Sequence, residues 1–427
     1  MEERPRAVVV VTGSELVRGG KGDANGPFLA RELTRLGLEP SRLLVVGDAA
    51  AELSDALAEG LAADLCVVSG GLGPTHDDRT IELLASAAGR PLVVDAGLER
   101  EIEIFARGIA ERLGRDYAEF APGVRKQASL PEGGISLGLA GTAPAVLLEH
   151  ARGVAIALPG PPRELQRLWP AALATGAVRR VLARARDREH RVLRFFGASE
   201  SAVSRAIAEA GGERDGLSVT VCAADLEVQV DLYAERSGQA AADVLASALR
   251  TRFSSELFAE DGRPVAAVVL DLCRSHGLSL ATAESCTGGL VAARLTDVPG
   301  ASDVFVGGLV AYANPVKETL GVPDDVLTRH GAVSAEAADA MAVGARRALG
   351  ADVAVAVTGI AGPGGGTPAK PVGLVFIAVS AGAEARVERY HFFGDRADVR
   401  GRATATALHD LRRLLTPSVT VSREASA

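Results

Sequence analysis

The stretch from Leu278 to Leu290 reads LSLATAESCTGGL. It starts as a short apolar run typical of a strand, breaks into small and hydroxyl residues, and passes two glycines before a helical pattern begins at Leu290. A strand that leads through a glycine-rich turn into a helix leaves backbone N–H groups unpaired, and such groups suit an anion or a developing oxyanion. Ser285 stands at the bend, so we hypothesise that it is a nucleophile. The alternative is that Ser285 only caps the helix, which is the commoner use of such a serine.

The composition of the whole chain excludes several classes of protein. Its 427 residues exceed one ordinary core and predict about two to four domains, and 48% apolar with 23% charged residues is typical of a soluble globular protein. A net charge of −8 argues against a protein whose main partner is nucleic acid. Seven arginines between Arg179 and Arg194 are locally basic, and we interpret them as a solvated arginine-rich helix.

The cysteines and the apolar runs indicate the compartment. Cys66, Cys222, Cys273 and Cys286 lie far apart with no C-x-x-C pair, so neither a disulfide framework nor a zinc site is indicated. The N-terminal residues lack a signal-peptide pattern, and no apolar run reaches the roughly 18 residues of a membrane span. We therefore expect a cytoplasmic protein with no membrane partner.

Strands alternate with helices through residues 1–172, which predicts a doubly wound, mainly parallel sheet. Two apolar runs, Arg6 to Thr12 and Leu65 to Val68, are typical of strands buried on both faces, and each opens into a glycine-containing loop. Ligands of such sheets bind beyond the carboxyl ends of the strands, so we expect both loops to face one crevice. Further rigid turns at Gly141–Pro144 and Pro159–Pro162 follow on the same side.

These loops hold the candidate residues of the N-terminal half. The backbone of Gly70 to Gly73 is suited to cradle a phosphate, although no Gly-Lys-Ser/Thr follows as in a Walker A loop. Asp77 and Asp78 are suited to hold a hard divalent cation, with an N-cap for the helix near Thr80 as the equal alternative. The candidates are Glu15, Asp23, Asp77 and Asp78 for the metal, and Asn25, Gly70, Gly71, Gly73, Thr75 and Thr142 for the substrate.

Residues 173–255 change character. The order strand, helix, strand, strand, helix describes a small α+β module, and the alternation of apolar and polar residues from Leu226 to Leu232 predicts an antiparallel pair of strands. The polar segment from Phe253 to Arg263 is interpreted as a linker to the last domain, residues 256–416. Residues 417–427 are predicted to be a disordered tail.

Three further features of the last domain lie beside or at the end of apolar runs. Tyr312 and Lys317 follow one run, and the loop Thr358–Gly366 follows another. Serine, lysine and tyrosine form the short list of side chains for a serine amidase that lacks a histidine. Each of these residues also has an ordinary structural interpretation. Cys286 is an alternative nucleophile, but the sequence places no partner histidine beside it.

The N-terminal motifs resemble those of the CinA family, whose first domain has a molybdopterin-binding-like fold. The resemblance implies metal-dependent hydrolysis of ADP-ribose to AMP and ribose 5-phosphate, in which a divalent cation neutralises the diphosphate and activates water. The chain departs from the family pattern at Ser14 and Ala24, where threonine is usual, and at Ala145, where glycine is usual; the asparagine expected shortly before Gly141 is missing. The matching segments are Gly13–Leu16, Asp23–Asn25, Gly70–Asp78, Gly141–Pro144 and Leu158–Pro162.

The C-terminal motifs resemble the CinA C-terminal domain, a nicotinamide mononucleotide deamidase, over nearly the whole domain. The matching segments are TAESCTGG (282–289), YANPVK (312–317), HGAVS (330–334), TGIAGPGGG (358–366) and KPVG (370–373). The resemblance implies Ser285 as nucleophile, helped by Tyr312 and Lys317, and Arg396 as a phosphate ligand, with no metal in this half. We expect Lys317 to accept the Ser285 proton directly or through Tyr312. The other expected substrate contacts are Thr282, Glu284, Cys286, Thr287, Gly288, Gly289, Thr358, Gly359 and Gly362, of which Cys286 to Gly289 would hold the oxyanion.

The resemblance also implies the remaining organisation. The middle segment corresponds to a KH-like module, but it lacks the G-x-x-G loop that clamps nucleic acid, so we expect a structural or dimerising role. Family precedent suggests a homodimer. We therefore predict an α/β enzyme of pyridine-nucleotide salvage with two active sites, for nicotinamide mononucleotide and ADP-ribose. One alternative is that the N-terminal domain only binds a nucleotide; another is a non-catalytic scaffold of DNA uptake or recombination, which the acidic charge disfavours.

Overall fold

The computed structural model describes residues 5–38, 40–185, 187–382 and 384–416. The chain divides into two compact units, Met1–Arg188 and Glu189–Ala427. The first unit extends past residue 172, the predicted end of the first domain, because Val178 and Val181 share a core with the strand residue Val9. The second unit contains residues 189–255 of the predicted middle module together with the predicted last domain. The predicted tail at 417–427 lies outside the described residues.

The first unit alternates strands and helices. Its 3-10 turn is Tyr117–Glu119. Its other elements are β1 (Ala7–Thr12), α1 (Ser14–Val17), α2 (Asn25–Arg35), β2 (Pro40–Val46), α3 (Ala50–Leu61), β3 (Leu65–Ser69), α4 (Thr80–Ala87), β4 (Leu92–Val94), α5 (Ala96–Leu113), α6 (Ala121–Gln127), β5 (Ser129–Pro131), β6 (Ile135–Leu139), β7 (Pro144–Glu149), β8 (Val154–Leu158), α7 (Pro162–Ala174) and α8 (Gly176–Leu182).

The main sheet of this unit has six strands in the order β2-β1-β3-β8-β7-β6. The first four are parallel, and β7 and β6 run antiparallel to their neighbours. β1 is buried on both faces, since Val8 and Val10 pack in one core with α3 and Val9 and Val11 pack in the other with α2 and α7. The predicted doubly wound, mainly parallel sheet is confirmed. The carboxyl ends of β1, β3 and β8 lie side by side, and the loops that follow them start at one edge of the sheet.

The second unit contains two sheets. Its 3-10 turn is Ala301–Asp303. Its other elements are β9 (Glu189–Phe196), α9 (Glu200–Glu209), β10 (Leu217–Ala224), β11 (Glu227–Ala234), α10 (Gln239–Arg252), β12 (Leu257–Ala259), α11 (Val265–His276), β13 (Leu280–Glu284), α12 (Leu290–Thr296), β14 (Phe305–Val310), α13 (Asn314–Thr319), α14 (Asp324–Arg329), α15 (Ala335–Leu349), β15 (Val353–Gly359), β16 (Leu374–Ala381), β17 (Glu384–His391) and α16 (Arg396–Leu415).

The smaller sheet has the order β10-β11-β9-β12 and is antiparallel throughout, as the alternating pattern predicts. The larger sheet has the order β14-β13-β15-β16-β17. In it β13 is paired on both sides with parallel neighbours, β14 and β15, while β16 and β17 are antiparallel. The strand that leads to Ser285 is therefore an interior strand, and the chain segments after β14 and β15 lie on either side of the Ser285 turn.

Three local predictions are wrong. The predicted linker contains β12, in which Leu257 and Ala259 pair with Phe195 and Arg194 of β9 and Ala259 is buried. The arginine-rich stretch is not one helix: it runs from the end of α8 into β9, and several of its arginines form ion pairs, for example Arg184 with Asp64. Leu226 lies in the tight turn between β10 and β11, where its φ of 68° takes it out of the strand. For the first two segments, pairing with strands that are distant in sequence decides the conformation.

A buried histidine links α16 to the smaller sheet of the second unit. His409 of α16 is fully buried, its Nε2 lies 2.9 Å from the carboxylate of Glu227 on β11, and its ring stacks on Phe196 of β9. Burial lowers the pKa of His409 from 6.5 to about 4, while Glu227 opposes the shift and the nearby Arg412 adds to it. The imidazole is therefore neutral in the folded chain at neutral pH.

We expect the second unit to lose stability as the pH falls from 6.5 towards 4, the two pKa values of His409. In this window the unfolded chain binds a proton that the folded chain does not, so the free energy of unfolding falls by up to about 1.4 kcal/mol per pH unit. Above pH 6.5 His409 is neutral in both the folded and the unfolded chain, so it adds no pH dependence to the free energy of unfolding. Denaturant unfolding of His409→Gln between pH 7 and 5 should show a weaker pH dependence than the wild type. The exposed His276→Gln is the control, and equal slopes for His409→Gln and the wild type would contradict the assignment.

Within the described residues, none of the helices has the length and apolar character required to cross a membrane.

Candidate functional sites

The turn after β13 is held by the carboxylate of Glu284. This side chain is almost fully buried and accepts hydrogen bonds from the backbone N–H groups of Gly289 (2.9 Å), Val291 (3.0 Å) and Ala292 (2.8 Å). Glu284 therefore caps the start of α12, and Ser285 does not, which removes the capping interpretation of the serine. Glu284 was expected to contact substrate; the structure instead uses its carboxylate inside the protein.

Ser285 and Lys317 are in contact. Lys317 lies on the short helix α13, which begins two residues after Tyr312, and its side chain is only 1% exposed. Its Nζ lies 3.1 Å from Ser285 Oγ and donates to the backbone oxygens of Ala311 (2.8 Å) and Tyr312 (3.0 Å). Burial lowers the pKa of the Lys317 ammonium, and the neighbouring Cys286 opposes the shift. The predicted nucleophile thus lies beside an amine that is easier to deprotonate than an exposed lysine.

Tyr312 lies close to this pair but faces away from it. Its side chain is largely exposed, and its Oη accepts a hydrogen bond of 2.9 Å from Arg396 Nη2. Arg396 also donates from Nη1 to the backbone oxygen of Gly362 (2.7 Å). The hydrogen bond between Lys317 and Tyr312 goes to the backbone oxygen of Tyr312, not to its hydroxyl. Proton transfer through the Tyr312 hydroxyl is therefore not supported by this geometry, which brings Tyr312, Arg396 and Gly362 together as a separate group.

Cys286 is a poor alternative nucleophile. Its side chain is buried, and burial raises the pKa of the thiol to about 11. A thiol attacks as its thiolate, so at neutral pH Cys286 would be almost entirely in the unreactive form.

Two backbone N–H groups of the turn remain available. The N–H of Ser285 donates to Val357, that of Gly288 to Ser285, and that of Gly289 to Glu284. In the part of the chain that the structure describes, no oxygen accepts from the N–H groups of Cys286 and Thr287, and the acceptor beside them is the Cys286 thiol. The predicted oxyanion donors are thereby reduced from four residues to these two.

Arg400 on α16 holds the same turn and was not predicted. Its Nε donates to the backbone oxygen of Cys286 (3.1 Å) and its Nη2 to that of Thr287 (2.8 Å). The first of these carbonyls belongs to the peptide group that carries the Thr287 N–H, so Arg400 fixes the direction of one available donor. Its position four residues after Arg396, on the same face of a helix, is a signal from which it could have been found.

Most of the other residues that were predicted to contact the substrate are instead buried or hydrogen-bonded within the protein. Thr282 and Thr287 are fully buried, and no described residue bonds to the Thr287 hydroxyl. The hydroxyl of the buried Thr358 donates to the backbone oxygen of Ala332 (2.7 Å), and Gly359 is paired within the sheet. Gly362 and Arg396 do line an open cavity of about 640 Å³, together with Ala361, Pro363, Val372, Gly394, Asp395, Ala397 and Arg400.

The first unit has a cavity of about 540 Å³ at the carboxyl ends of β1, β3 and β8. Of the predicted residues, only Thr75 does not line it; the Thr75 hydroxyl bonds instead to Asp77 and Asp78. The predicted residues that line this cavity are Glu15, Asp23, Asn25, Gly70, Gly71, Gly73, Asp77, Asp78 and Thr142, and the charged or hydroxyl residues that were missed are Thr12, Lys21, Asp48, Ser69 and Glu164.

The glycine loop and Asn25 both present unpaired polar groups. Gly70 and Gly71 have φ of 106° and 65°, and a Cβ on either would lie within 2.5 Å of Thr12 or Thr80. Among the described residues, no acceptor pairs with the N–H groups of residues 71–73. Asn25 donates from Nδ2 to Ser69 Oγ (2.9 Å) and Gly160 O (2.7 Å), and its buried Oδ1 has no partner in the described chain.

The four predicted metal ligands line one cavity but are not gathered into one coordination group. Asp23 accepts from the backbone of Asn25 and Gly26 at the start of α2, and Asp78 accepts from the backbone of Thr75. Neither aspartate after the glycine loop caps α4, whose N-cap Arg79 makes no capping side-chain hydrogen bond. Across the described ranges, no three or more histidine, cysteine, aspartate or glutamate side chains are arranged to hold a metal ion.

Comparison with known proteins covers nearly the whole chain. Residues 262–415 match the family described as "CinA C-terminal domain", and residues 8–175 match "Probable molybdopterin binding domain". A "CinA-like protein" of Mycolicibacterium vanbaalenii is 43% identical over 419 residues, which cover 96% of this chain and 99% of that protein. Another, of Mycolicibacterium gilvum, is 44% identical over 420 residues, which cover 96% and 98%. The solved structure of "competence/damage inducible protein CihA" from Agrobacterium tumefaciens is 42% identical, covers 36% of this chain and 94% of its own, and gives a TM-score of 0.35.

Proposed function

The chain belongs to the CinA family, and on this premise we propose that its C-terminal domain hydrolyses the carboxamide of nicotinamide mononucleotide to nicotinate mononucleotide and ammonia. The observation that carries the proposal is the 3.1 Å contact between Ser285 Oγ and the buried Nζ of Lys317. A serine beside a desolvated lysine amine is a nucleophile beside its base, and the pair needs no histidine.

The surroundings of Lys317 favour its neutral amine form, which can accept the proton of Ser285. A neutral amine has two N–H donors and one lone pair, and the two backbone oxygens of Ala311 and Tyr312 can take the two donors. The lone pair is then directed to the Ser285 hydroxyl, which donates its proton directly to Nζ. Burial lowers the pKa of Lys317, which raises the share of the neutral amine at a given pH.

The remaining steps follow from this transfer. Ser285 Oγ bonds to the carboxamide carbon, and the resulting oxyanion takes hydrogen bonds from the N–H groups of Cys286 and Thr287, from which no oxygen of the described chain accepts. The C–N bond then breaks, and the leaving nitrogen takes the proton from Lys317 and departs as ammonia. Water, deprotonated by the same amine, hydrolyses the ester and returns Ser285.

The cavity beside the turn supplies a place for the rest of the nucleotide. Arg396 and Arg400 both line it, and Arg396 is fixed by Gly362 and Tyr312. A guanidinium held in this way is suited to a phosphate group. The test of the proposal is whether the full chain releases ammonia and nicotinate mononucleotide from nicotinamide mononucleotide. Absence of release would contradict it.

Replacing Arg400 by methionine is expected to lower kcat for deamidation by up to about 100-fold, because a loosened turn misplaces the oxyanion donors. Ammonia release should be measured beside Arg347→Met, which removes an exposed arginine of α15 and should leave the rate unchanged. A rise in KM with unchanged kcat would instead indicate that Arg400 only binds the phosphate. Arg400→Lys should recover part of the rate, since it keeps one donor.

For the N-terminal domain we propose hydrolysis of ADP-ribose to AMP and ribose 5-phosphate with a divalent cation. The free N–H groups of residues 71–73 support a diphosphate site, since a row of unpaired N–H groups in a turn binds anions. The unpartnered Oδ1 of the buried Asn25 supports a ligand that carries a donor or a cation at this point. Both features belong to the same cavity.

The carboxylates that line this cavity fit a divalent cation that binds together with the substrate. Carboxylate oxygens are the ligands that hard divalent cations prefer, and magnesium is commonly bound by one or two carboxylates plus substrate phosphates. Asp77 and Asp78, which border the glycine loop, would hold such an ion, which would neutralise charge on the diphosphate. The scattered placement of the four carboxylates also favours the second candidate function, a nucleotide-binding domain without turnover.

The two functions of this domain are separated by one experiment. The full chain is incubated with ADP-ribose and a series of divalent cations, and AMP is measured beside binding. AMP formation supports the hydrolase, whereas binding without AMP for every cation supports the binding domain.

A further inference from the structure

Glu164 stands at the third position of α7, where a glutamate is usually part of a helix cap. In that arrangement the carboxylate accepts the backbone N–H of the N-cap residue. Here the N-cap is Pro161, which has no N–H to donate. The capping-box use of a glutamate at this position is therefore excluded, which leaves the general preference for acidic residues in the first turn of a helix as its structural role.

The carboxylate of Glu164 is placed in the cavity without a partner. Glu164 lines the same cavity as the glycine loop and Thr142, and it packs so closely on Gly141 that a Cβ there would lie 2.7 Å from its Oε1. Nothing in the described chain donates a hydrogen bond to it or forms an ion pair with it, and burial raises the pKa of the group. A half-buried carboxylate that gives up hydration for no bond costs stability, which is characteristic of a functional group.

From this placement we propose that Glu164 is the general base of the N-terminal site, an inference that rests on the proposed hydrolysis of ADP-ribose. Glu164 takes one proton from the attacking water, whose oxygen bonds to a phosphorus of the diphosphate. The bridging P–O bond breaks, its electron pair leaves with the departing phosphate, and AMP and ribose 5-phosphate are the products. The proton then passes from Glu164 to solvent. Both carboxylate oxygens are free to accept it because no protein donor occupies them.

Glu164→Gln tests this role with almost no change of shape. In the full chain we expect kcat for AMP formation to fall by about 100- to 10,000-fold with KM nearly unchanged. Glu132→Gln is the matched control, since it changes an exposed carboxylate of the same unit that does not line the cavity. Thermal unfolding midpoints of both variants establish that they are folded.

Gly141→Ala tests the position of the carboxylate while leaving it in place. The three atoms nearest to the new Cβ all belong to the carboxylate of Glu164, and this flexible group can move aside without disturbing the backbone. We expect kcat to fall by up to about 100-fold, as for a misplaced catalytic group. In the Glu164→Gln background the same substitution should have almost no further effect, because both changes act on one group.

The outcomes separate this inference from the function on which it rests. If the wild type forms no AMP with any cation, the hydrolase itself fails. If the wild type forms AMP and Glu164→Gln does so equally fast, the hydrolase stands and the role of Glu164 is wrong. A higher KM with unchanged kcat would also overturn it, because Glu164 would then bind a substrate hydroxyl instead of activating water.

Discussion

Replacing Ser285 by alanine is expected to abolish deamidation, with kcat for ammonia release falling by roughly 10⁴- to 10⁶-fold, the range seen when a nucleophile of a hydrolase is removed. The substitution deletes one oxygen, the atom that lies 3.1 Å from Lys317 Nζ. No neighbouring group can replace it, because the Cys286 thiol is buried and its pKa is raised to about 11. Ammonia and nicotinate mononucleotide should be measured together, under single-turnover and steady-state conditions.

Cys286→Ala is the matched control for this experiment. It removes a similar small side chain at the next position of the same turn and should retain most of the activity. Loss of activity in Cys286→Ala with activity kept in Ser285→Ala would assign the nucleophile to the cysteine. Equal rates for Ser285→Ala and the wild type would refute the mechanism. Because the two proposed sites lie in different units, AMP formation from ADP-ribose should be unaffected by Ser285→Ala.

Lys317→Met is expected to lower kcat for deamidation by about 100- to 10,000-fold, the usual contribution of a general base. Methionine has a similar length, but it offers no lone pair to Ser285 and no donors to Ala311 and Tyr312. Lys317→Arg should be equally inactive, because a guanidinium does not give up its proton in a protein. The control is Lys126→Met, a lysine of the first unit that has no part in deamidation.

The role of Lys317 as a base also predicts the direction in which the rate changes with pH. The active form of Lys317 is the neutral amine, so kcat/KM of the wild type should rise with pH through the lowered pKa of Lys317 and then level off. The residual rate of Lys317→Met should not show this rise. In the wild type, stability should also increase as the pH rises towards 10.5, since the unfolded chain keeps the lysine proton that the folded chain releases earlier. A wild-type rate that falls as the pH rises would contradict the role of base.

Much of this architecture could be predicted because it is local in the sequence. Fully buried strands such as β1 and β3 show as nearly continuous apolar runs, and each is followed by a glycine turn. The contact between Ser285 and Lys317 was expected from a resemblance and is found in the structure. β12 escaped prediction because three residues are too few to show a period of two, and only pairing with β9 makes them a strand.

Directions of side chains were the less predictable part. No sequence pattern distinguishes a Glu284 that points to substrate from one that points back to the N–H groups of α12. The same holds for Tyr312, whose hydroxyl bonds to Arg396, a residue 84 positions away, and not to the serine. Glu164 was overlooked for a related reason, since an acidic residue in the first turn of a helix is ordinary until its N-cap is seen to be proline. Such orientations are set by neighbours that are distant in sequence.

The interior position of β13 has a consequence for how this domain can diversify. The strand is paired on both sides, the N–H of Ser285 extends the pairing to Val357 of β15, and the carbonyl of Glu284 accepts from Ala311 at the end of β14. The bond-breaking groups are thus anchored to the hydrogen-bond lattice of the sheet. The loop residues 361–366, several of which line the adjoining cavity, make no backbone hydrogen bond to these strands within the described chain. Their length and side chains can be exchanged to admit a different amide without moving Ser285 relative to Lys317, so substrate choice and chemistry can be engineered separately.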